Sequence, residues 1–579
     1  MNKLKKYPVT LDDETLFLPN SKNKTTSVEM SHPLSSTSLP YYHKFNEVMR
    51  SFSLAAFFLL RLSCKKNKVK IRFVTFIPYL TGSILMLSLM TVLPSCLYLT
   101  ENPENMLTSN SFYENSDQCQ AVLSSTMNIL SSQWSGYYGT PAWPCGQYNR
   151  GRLGYGPSQF TGVWLQHYRA TVNINMVIQS IKEGKLKHEI NQKAVNDILG
   201  QAYFLRAWNY FWLVQLYGKI PYNDEYTPDL VAHPLTRESR LDIDKVYDRL
   251  ETDLNEAFRL MNDYKISEKG RPCKWTAKAW LAKVYLTRAT APLNDVSCFA
   301  KAAAAADEVI KNGPYQLLPI IEIFNTSNLN NAEFIHAFQF TNDYPAYPGP
   351  SIGPEADWNT WGEGKVKRIW ADLYPEQPRK HYYLRTWWPR NLSVFNADKP
   401  EEWNWLYYDD HPNEGERYPW DGKKTWPNLT AAQNLTDGGN SGVLLPILRI
   451  SEMYLIYAES ANMAYNSGTV PQLAVDRLNA IIKRANQPFE SKIPATSVAG
   501  TQEEASISMT KKDFDEKVFL ERQWELCFEF TAYFDLLRTR RLKEWNEPVV
   551  SQNFKETDYL FPIPALDATF IGNNPGYGD

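Results

Sequence analysis

Long segments with the periodicity of an α-helix fill most of this chain, and they lie on both sides of one central region where that pattern stops. Apolar residues recur in these segments at intervals of three and four, which places them on one face of a helix. Helices that follow one another after short breaks predict a mostly α fold, an α-solenoid of helix-turn-helix pairs, although no strict repeat of fixed length is present. The predicted helices are 111–130, 161–183, 193–217, 242–261, 274–290, 298–311, 448–465, 472–484 and 511–538.

The central region, from Phe324 to Leu445, has a different composition. Pro, Gly, Asn and Trp accumulate there, and 9 of the 18 Trp residues lie between Trp358 and Trp426. Segments this long without regular structure are functional or disordered, and so many aromatic residues argue against disorder. We therefore predict a loop-rich insert over about 324–445, on a helical body that comprises about 111–323 and 446–545.

An export signal is predicted well inside the chain. The uncharged, largely apolar stretch 73–93 follows Lys70 and Arg72, and it ends at Leu93-Pro94-Ser95-Cys96. Basic, apolar and small residues in this order are typical of a signal peptide. The ending resembles the lipobox of bacterial lipoproteins, in which Cys96 would become the lipidated first residue. A transmembrane helix is the alternative, but a Pro, a Gly and five Ser/Thr residues make this span a poor one.

The residues before this signal are anomalous, because a signal peptide belongs at the amino end. Val69 stands directly before the basic residues and reads as an initiator of the valine type, and Met49 is the other candidate start. We expect 1–68 to be a non-native or disordered extension, 69–95 to be the lipoprotein signal peptide, and 96–579 to be one mature domain.

The charge of the chain is unevenly divided, which bears on its partners. Residues 1–95 carry 13 Lys/Arg and 5 Asp/Glu, and the remainder carries 48 basic and 58 acidic residues, a net charge of −10. A body that acidic, with no basic stripe, argues against nucleic-acid binding.

Motifs for catalysis, for metals and for cofactors are missing from the sequence. There is no HExxH, GxSxG, P-loop or Gly-rich dinucleotide turn. Asp437-Gly-Gly-Asn440 suggests a structural calcium ion but lacks the spacing of an EF-hand. The sequence therefore predicts no catalytic residue, no cofactor and no metal ligand.

Five cysteines follow Cys96 and show neither a CxxC pair nor a metal-binding spacing. Buried free thiols are the favoured interpretation, and one unassigned disulfide remains open for an exported protein. The five are Cys119, Cys145, Cys273, Cys298 and Cys527.

Six segments occur in an order that one protein family shares. They are 200–221 (GQAYFLRAWNYFWLVQLYGKIP), 274–286 (KWTAKAWLAKVYL), 309–315 (VIKNGPY), 448–460 (LRISEMYLIYAES), 520–538 (LERQWELCFEFTAYFDLLR), and 560–564 followed by 574–577 (NPGY). Together they resemble the SusD/RagB family of outer-membrane nutrient-binding lipoproteins over essentially the whole mature chain. The sequence departs from the family at Phe530-Thr531-Ala532, where a Gly-x-Arg is common, and this puts the local packing in question.

The resemblance implies a SusD-like body of four tetratricopeptide-like units that carries an irregular ligand-binding region. It also implies a lipid-anchored protein on the outer membrane, facing the outside, beside a SusC-type TonB-dependent transporter to which it hands a nutrient oligomer. The family takes up glycans, or peptides in some cases. We expect this chain to bind such an oligomer, most readily a glycan, and not to be an enzyme.

Aromatic residues of the insert are the predicted ligand-binding residues. A sugar ring has an apolar face of C–H groups that lies flat on an indole or a phenol, while its hydroxyls need polar partners. The insert interleaves aromatic residues with Asn, Asp and Arg, and the loop after the first helix is a second candidate. The predicted residues are Trp358, Trp361, Trp387, Trp388, Trp403, Trp405, Tyr407 and Trp420, with Trp134 and Tyr138 from that second loop.

Two other functions remain open. A peptide-binding member of the family would share every feature except the preference for aromatic platforms. An all-helical glycoside hydrolase would need a carboxylate dyad at a set separation, and the adjacent pairs Glu401-Glu402 and Asp409-Asp410 fit a solvated loop better. Three further carboxylates, 521, 525 and 529, recur at intervals of four on a predicted helix near Arg522 and Arg538. Their structural interpretation is favoured.

Overall fold

The residues on which the fold can be described fall in seventeen stretches of the computed structural model. These are 112–135, 157–187, 191–226, 236–263, 270–324, 328–339, 366, 368–385, 387–389, 405–407, 420–421, 423, 444–465, 468–488, 500–529, 531–545 and 555–575. The export signal, Cys96 and the upstream extension lie outside the described residues. Among the helices that are described, none combines the length and apolar character needed to cross a membrane.

Six long helices form the first half of the body, and each packs against the next one in the chain. This succession confirms the predicted mostly α fold, because consecutive packing is how a solenoid buries its core. A short helix, α7 (Ile320–Ile323), follows them. The six are α1 (Ser116–Ser135), α2 (Pro157–Lys182), α3 (Gln192–Tyr217), α4 (Ile243–Leu260), α5 (Lys274–Ala289) and α6 (Cys298–Asn312).

The second half of the body continues the same packing. Helix α10 packs against α6, and α11 and α12 then pack against α10. These elements are α10 (Ile450–Ala464), α11 (Gln472–Ala485), α12 (Lys511–Glu525), α13 (Thr531–Arg538) and α14 (Ala565–Ile571).

Short strands lie between the helices in the chain and pair two by two in antiparallel fashion. Strand β1 (Ile220–Pro221) pairs with β2 (Arg240–Leu241), and β3 (Phe334–Phe338) pairs with β8 (Leu445–Arg449) across the two ends of the predicted insert. The region between them also contains two short helices that the sequence analysis missed, α8 (Arg368–Leu373) and α9 (Pro378–Tyr383). Six residues make fewer than two turns, which is too short for a periodic pattern to appear.

Helix α3 is the centre of the core. The helix is buried on nearly all sides from Gly200 to Tyr217. Trp208 and Trp212 meet Trp280 of α5 edge to face, with ring centroids 6.3 and 5.8 Å apart. Such pairs add about 0.5–1.5 kcal/mol each to the stabilisation from area burial. The aromatic residues of this segment therefore serve core packing.

The predicted helix 511–538 is wrong as one element, since it is interrupted between Glu525 and Thr531. Phe528 adopts a left-handed conformation there, with a φ of 60°, although no Gly or Pro marks a break. The Nζ of Lys423 donates hydrogen bonds to the carbonyl oxygens of Glu525 and Cys527. In a continuous helix those carbonyls would accept from residues four further along. Lys423 of the insert therefore donates the hydrogen bonds that the next helical turn would otherwise donate to these carbonyls.

Four of the five predicted thiols lie in the described part of the chain, and all four are buried and outside any disulfide. The prediction of buried thiols without a disulfide is thus confirmed for these positions. Cys145 lies outside the described residues. The four are Cys119, Cys273, Cys298 and Cys527.

Candidate ligand-binding site

Two of the insert's short antiparallel ladders carry most of the predicted binding residues that the structure describes. Strand β5 (Trp387–Pro389) pairs with β6 (Trp405–Tyr407), and the register sets Trp387 opposite Tyr407 and Pro389 opposite Trp405. Opposed residues share a face of an antiparallel pair, and successive residues alternate between faces. Trp387, Trp405 and Tyr407 therefore lie on one face of this pair, which we call the aromatic ribbon. Trp388, opposite Leu406, lies on the other face.

A second ladder forms the base of the ribbon. Strand β4 (Leu384–Arg385) pairs with β7 (Trp420–Asp421), and Trp420 stands opposite Arg385. One residue separates β4 from β5, so the two ladders lie along the same outgoing chain. We call β4, β5, β6 and β7 together the insert hairpin.

The other predicted binding residues are divided. Trp358, Trp361, Trp403 and Tyr138 lie outside the described residues, and their role stays a prediction. Trp134 was placed in a loop, but it lies in the last turn of α1, which runs five residues further than predicted. The first glycine after the predicted end is Gly136, so the sequence offers no earlier stop.

Beneath the insert hairpin lies a group of buried charges, four cations and four carboxylates, which we call the ion cluster. Each of its side chains is 6% exposed or less, and its ion pairs are 2.5 to 3.0 Å long. The members are Arg379, Lys423, Arg449 and Arg484 with Glu333, Glu521, Glu525 and Glu529.

The insert supplies two of the cations. Arg379 of α9 donates through Nη1 to Glu521, at 2.5 Å, and to Glu525, at 2.8 Å. Lys423, two residues after β7, donates to Glu529 at 2.6 Å and to the carbonyl oxygens of Glu525 and Cys527 at 2.7 and 2.9 Å. Three charge-assisted donations satisfy the three N–H groups of this ammonium.

The body supplies the other two cations. Arg449, the last residue of β8, binds Glu333, Glu525 and Glu529 at 2.7 to 3.0 Å. Arg484 of α11 binds Glu333 at 2.9 Å and Glu525 at 2.6 Å. Glu525 therefore accepts from α9, β8 and α11 at once.

These contacts decide the ionisation of the carboxylates. Burial alone would raise the pKa of Glu525, but Arg484, Arg449, Arg379 and Lys423 outweigh it and hold that pKa far below its usual range. Burial and the opposing effect of Arg449 and Lys423 likewise leave the pKa of Glu529 lowered. Carboxylates that stay ionised, saturated with donors and shielded from solvent are unsuited to proton transfer. The structural interpretation of Glu525 and Glu529 is supported on these grounds, and that of Glu521 is supported by its buried ion pair with Arg379.

Arg522 and Arg538, named from the sequence as neighbours of those carboxylates, bind other partners. Arg522 binds Asp535 at 2.8 Å and Glu452 at 2.9 Å. Arg538 binds Glu459 at 2.5 Å. These two arginines lie in a separate buried group that joins α10, α12 and α13 within the body.

Sequence reasoning missed all four cations of the ion cluster. Arg449 carried a signal, since it stands alone in the apolar run Leu444-Leu445-Pro446-Ile447-Leu448, and a charge in a buried strand needs a partner. Lys423 carried none, because Lys424 and its other neighbours are polar.

A pocket of about 380 Å³ opens on the body where the ends of α3, α5 and α13 meet the C-terminal segment. Tyr247, Pro292, Arg540, Glu556 and Tyr559 are among its lining residues. The guanidinium of Arg540 lies 4.3 Å from the ring centroid of Tyr559. Among the described residues that line this pocket, none is a predicted binding residue.

No cluster of His, Cys, Asp and Glu that could hold a metal ion occurs within the described stretches. The suggested calcium segment, 437–440, and the carboxylate pairs Glu401-Glu402 and Asp409-Asp410 lie outside them.

The fold is a helical solenoid that carries an inserted hairpin. Residues 92–286 match a family model described as starch-binding associating with outer membrane, and residues 335–565 match the model of the SusD family. The chain belongs to the SusD/RagB family, and the resemblance found in the sequence is confirmed.

Relatives match over most of their length. The chain is 27% identical to SusD-like protein P2 of Formosa agariphila, across 84% of this chain and 98% of that one. A SusD superfamily protein from Parabacteroides distasonis has a similar structure, with a TM-score of 0.64 at 21% identity over 82% of this chain and all of that one. The surface glycan-binding protein A from Bacteroides thetaiotaomicron, solved in complex with laminarihexaose, gives 0.59 at 19% identity over 79% and 99%. The two structures support the fold.

Proposed function

We propose that this protein captures a glycan oligosaccharide at the cell surface and delivers it to a SusC-type TonB-dependent transporter. The lipidated Cys96 would hold it on the outer membrane, facing the outside. It would bind the glycan without chemical change, and nucleic acid would not be a ligand.

The observation that carries this proposal is the register of the aromatic ribbon. Trp387, Trp405 and Tyr407 lie on one face of paired strands, so their spacing is set by the backbone and not by a free loop. A run of sugar rings can stack its apolar faces on such a surface.

Family membership and relatives support a glycan as the ligand class. One matching family model is described as starch-binding, and a protein of the same fold was solved with laminarihexaose. Those ligands belong to those proteins, and this chain's own glycan is to be determined by experiment.

Binding without catalysis is favoured by the contacts of three described carboxylates, Glu521, Glu525 and Glu529. The three that recur along α12 and just beyond it each accept from cations of the ion cluster, so none is free to act as an acid or a base. The family model's description as outer-membrane-associated and the lipobox-like Cys96 support surface anchoring.

The first experiment is a binding screen. Residues 105–579 form one compact unit, so the chain from Leu97 to Asp579, without signal and lipid, retains the body and the insert. Affinity electrophoresis against a panel of polysaccharides, with product analysis of the same samples, should give retardation by one glycan class and no new reducing ends. Retardation by none would favour the peptide-binding alternative, and released sugars would make the protein a glycoside hydrolase.

The transporter is tested separately. The full-length lipoprotein, expressed in its own host, should co-purify with a TonB-dependent barrel, and the Cys96→Ala variant should lose outer-membrane association. Outer-membrane retention of that variant to the wild-type level would reject the lipid anchor.

A further inference from the structure

We propose that Arg379 and Lys423 are positioning residues for the ligand-binding site. They would clamp the two ends of the insert hairpin onto the end of α12 and so fix the aromatic ribbon relative to the body. This inference rests on the proposed role of the ribbon in binding, and it deepens that role by naming what holds the site in place.

The two cations lie on either side of the insert hairpin in the chain. Arg379 stands five residues before Leu384, the start of β4, and Lys423 stands two residues after Asp421, the end of β7. Leu384 and Asp421 are themselves opposed in the β4–β7 ladder. The two cations therefore flank the base of the insert hairpin in the chain, one before the outgoing strand and one after the returning strand.

Both cations bind the same part of the chain, the end of α12 and the residues just past it. Arg379 binds Glu521 and Glu525, and Lys423 binds Glu529 and the carbonyl oxygen of Glu525. These carboxylates follow one another at intervals of four residues at the end of α12 and just past it. The separation of the two contacts is thus set by the helix and its first turn beyond Glu525.

Lys423 also contacts the segment that leads into the outgoing strand. Its ammonium lies 4.0 Å from the ring centroid of Tyr383, the residue directly before β4. The Tyr383 hydroxyl donates to Glu525 at 3.4 Å. An attraction between a cation and an aromatic face is strongest where water is excluded, and both side chains are 1% exposed or less. Lys423, two residues after the returning strand, therefore contacts both the end of α9, directly before the outgoing strand, and the end of α12.

Arginines of the body also bind Glu525 and Glu529. Without Lys423, Glu529 would still accept from Arg449, and Glu525 would still accept from Arg449 and Arg484. Without Arg379, Glu521 would still accept from the side-chain amide of Gln502 at 2.8 Å. Loss of Lys423 should therefore free the hairpin while Glu525 and Glu529 keep cations of the body. Loss of Arg379 should free the hairpin as well, but it leaves the buried carboxylate of Glu521 with the neutral amide of Gln502 and should cost more stability.

Charged side chains, and not an apolar contact, attach the base of the insert hairpin to α12. Buried ion pairs are weak evidence of stability, but their fixed geometry can specify one arrangement among several. An apolar contact of the same area tolerates sliding. Five hydrogen bonds of 2.5 to 2.9 Å and one ring contact at 4.0 Å, all from two side chains, define one placement of the hairpin base.

The test compares Lys423→Met with Lys283→Met. Lys283 is a matched control, because it is also a buried lysine, bound to Glu452 and Thr531 within the body, and Glu452 would keep Arg522 as a partner. Both variants should unfold at a lower temperature. Well below both midpoints, Lys423→Met should bind the retarding glycan about tenfold more weakly, and Lys283→Met within about twofold of wild type.

Hydrogen exchange of the ligand-free proteins supplies the second readout. In Lys423→Met, amides of 384–389 and 405–407 should lose protection while those of α2 to α5 keep it, and saturating glycan should restore the lost protection. Arg379→Met is the second variant and should behave in the same way if Lys423→Met fails to fold.

The outcomes separate this inference from the proposed function. Wild-type glycan binding with unchanged affinity and unchanged exchange in both insert variants would overturn the clamp and leave the proposed function standing. No glycan binding by the wild type would reject the proposed function, and selective loss of protection in the hairpin would still support the clamp. Loss of protection spread evenly over the body would reject it.

Discussion

The ammonium of Lys423 donates a 2.7 Å hydrogen bond to the carbonyl oxygen of Glu525, the last residue of α12. The two residues are 102 positions apart, so the end of this helix is fixed by a distant segment and not by a local stop signal. The side-chain carboxylate of Glu525 binds two arginines of the body, Arg449 and Arg484. The cluster therefore joins local helix geometry, body packing and the placement of the insert.

Removal of a body cation should test how much the ion cluster matters to stability. Arg449→Met would leave Glu333, Glu525 and Glu529 short of a buried partner, and losing one side of a buried pair costs about 3–5 kcal/mol. We expect a loss of that size in the free energy of unfolding, measured by urea denaturation.

The control for this change is Arg259→Met. Arg259 binds Glu256 one turn away on α4, and its side chain is 64% exposed. Exposed pairs of this kind contribute about 0–1 kcal/mol, so this variant should unfold close to wild type. Equal losses in the two variants would contradict the special role of the buried cluster.

Acid should destabilise the protein partly through a histidine in the core. His336 of β3 is packed between Phe204, Trp208 and Trp280, and burial lowers its pKa to about 3. Its pKa in the unfolded chain is about 6.5. Below pH 6.5 the unfolded state therefore binds a proton at His336 that the folded state does not bind. The stabilisation that comes from the neutral histidine is complete above pH 6.5 and falls as the pH drops toward 3.

The measurement is the slope of unfolding free energy against pH between 6 and 4.5, for wild type and for His336→Leu. The two slopes should differ by about one proton, or about 1.4 kcal/mol per pH unit, with the variant less sensitive to acid. Other groups act equally in both proteins, including Asp515, whose burial raises its pKa to about 7. Parallel slopes would mean that His336 is protonated in the folded protein.

The two faces of the aromatic ribbon should differ in their importance for glycan binding. Trp387→Ala and Tyr407→Ala remove residues from the face that also holds Trp405, whereas Trp388→Ala changes the opposite face. Each change on the first face should cost about 1 kcal/mol or more, which is roughly fivefold in Kd. Isothermal titration with the retarding glycan measures this, and the helical circular dichroism should stay unchanged.

Trp388→Ala is the matched control, since it removes the same type of side chain one residue away. A larger loss of binding for Trp388→Ala than for Trp387→Ala would place the ligand on the opposite face of the ribbon. Equal affinity for all three variants would move the site away from the ribbon, and the pocket lined by Tyr247 and Tyr559 would be tested next.

The helical body was predictable because periodicity, capping and terminators are local. Asn191 shows this directly, since its side chain accepts from the backbone N–H groups of Lys193 and Ala194 and starts α3 where the pattern begins. The end of α12 was not predictable, because it depends on Lys423. The ribbon was foreseen only as a set of aromatic residues; their division between two faces follows from a register that spans twenty residues from Trp387 to Tyr407.

The first glycine of the family signature should be intolerant of a methyl group. Gly200 lies inside α3 with ordinary helical geometry, where Ala would normally be favoured by about 0.5–1 kcal/mol. A Cβ there would lie 2.6 Å from Cγ and 3.0 Å from the backbone nitrogen of Met261, at the end of α4. Because backbone cannot move away as a flexible side chain can, Gly200→Ala should lower the free energy of unfolding by about 1–3 kcal/mol.

Gly468→Ala is the control for this change, since a Cβ at Gly468 meets nothing within 4 Å, and it should unfold within about 0.5 kcal/mol of wild type. Met261→Ala added to Gly200→Ala should recover part of the loss relative to the sum of the single changes, because it removes the closer of the two contacts. A double-mutant cycle by urea denaturation measures that recovery. Strict additivity would place the strain at the Met261 backbone alone, and a neutral Gly200→Ala would show that α3 and α4 can separate there without cost.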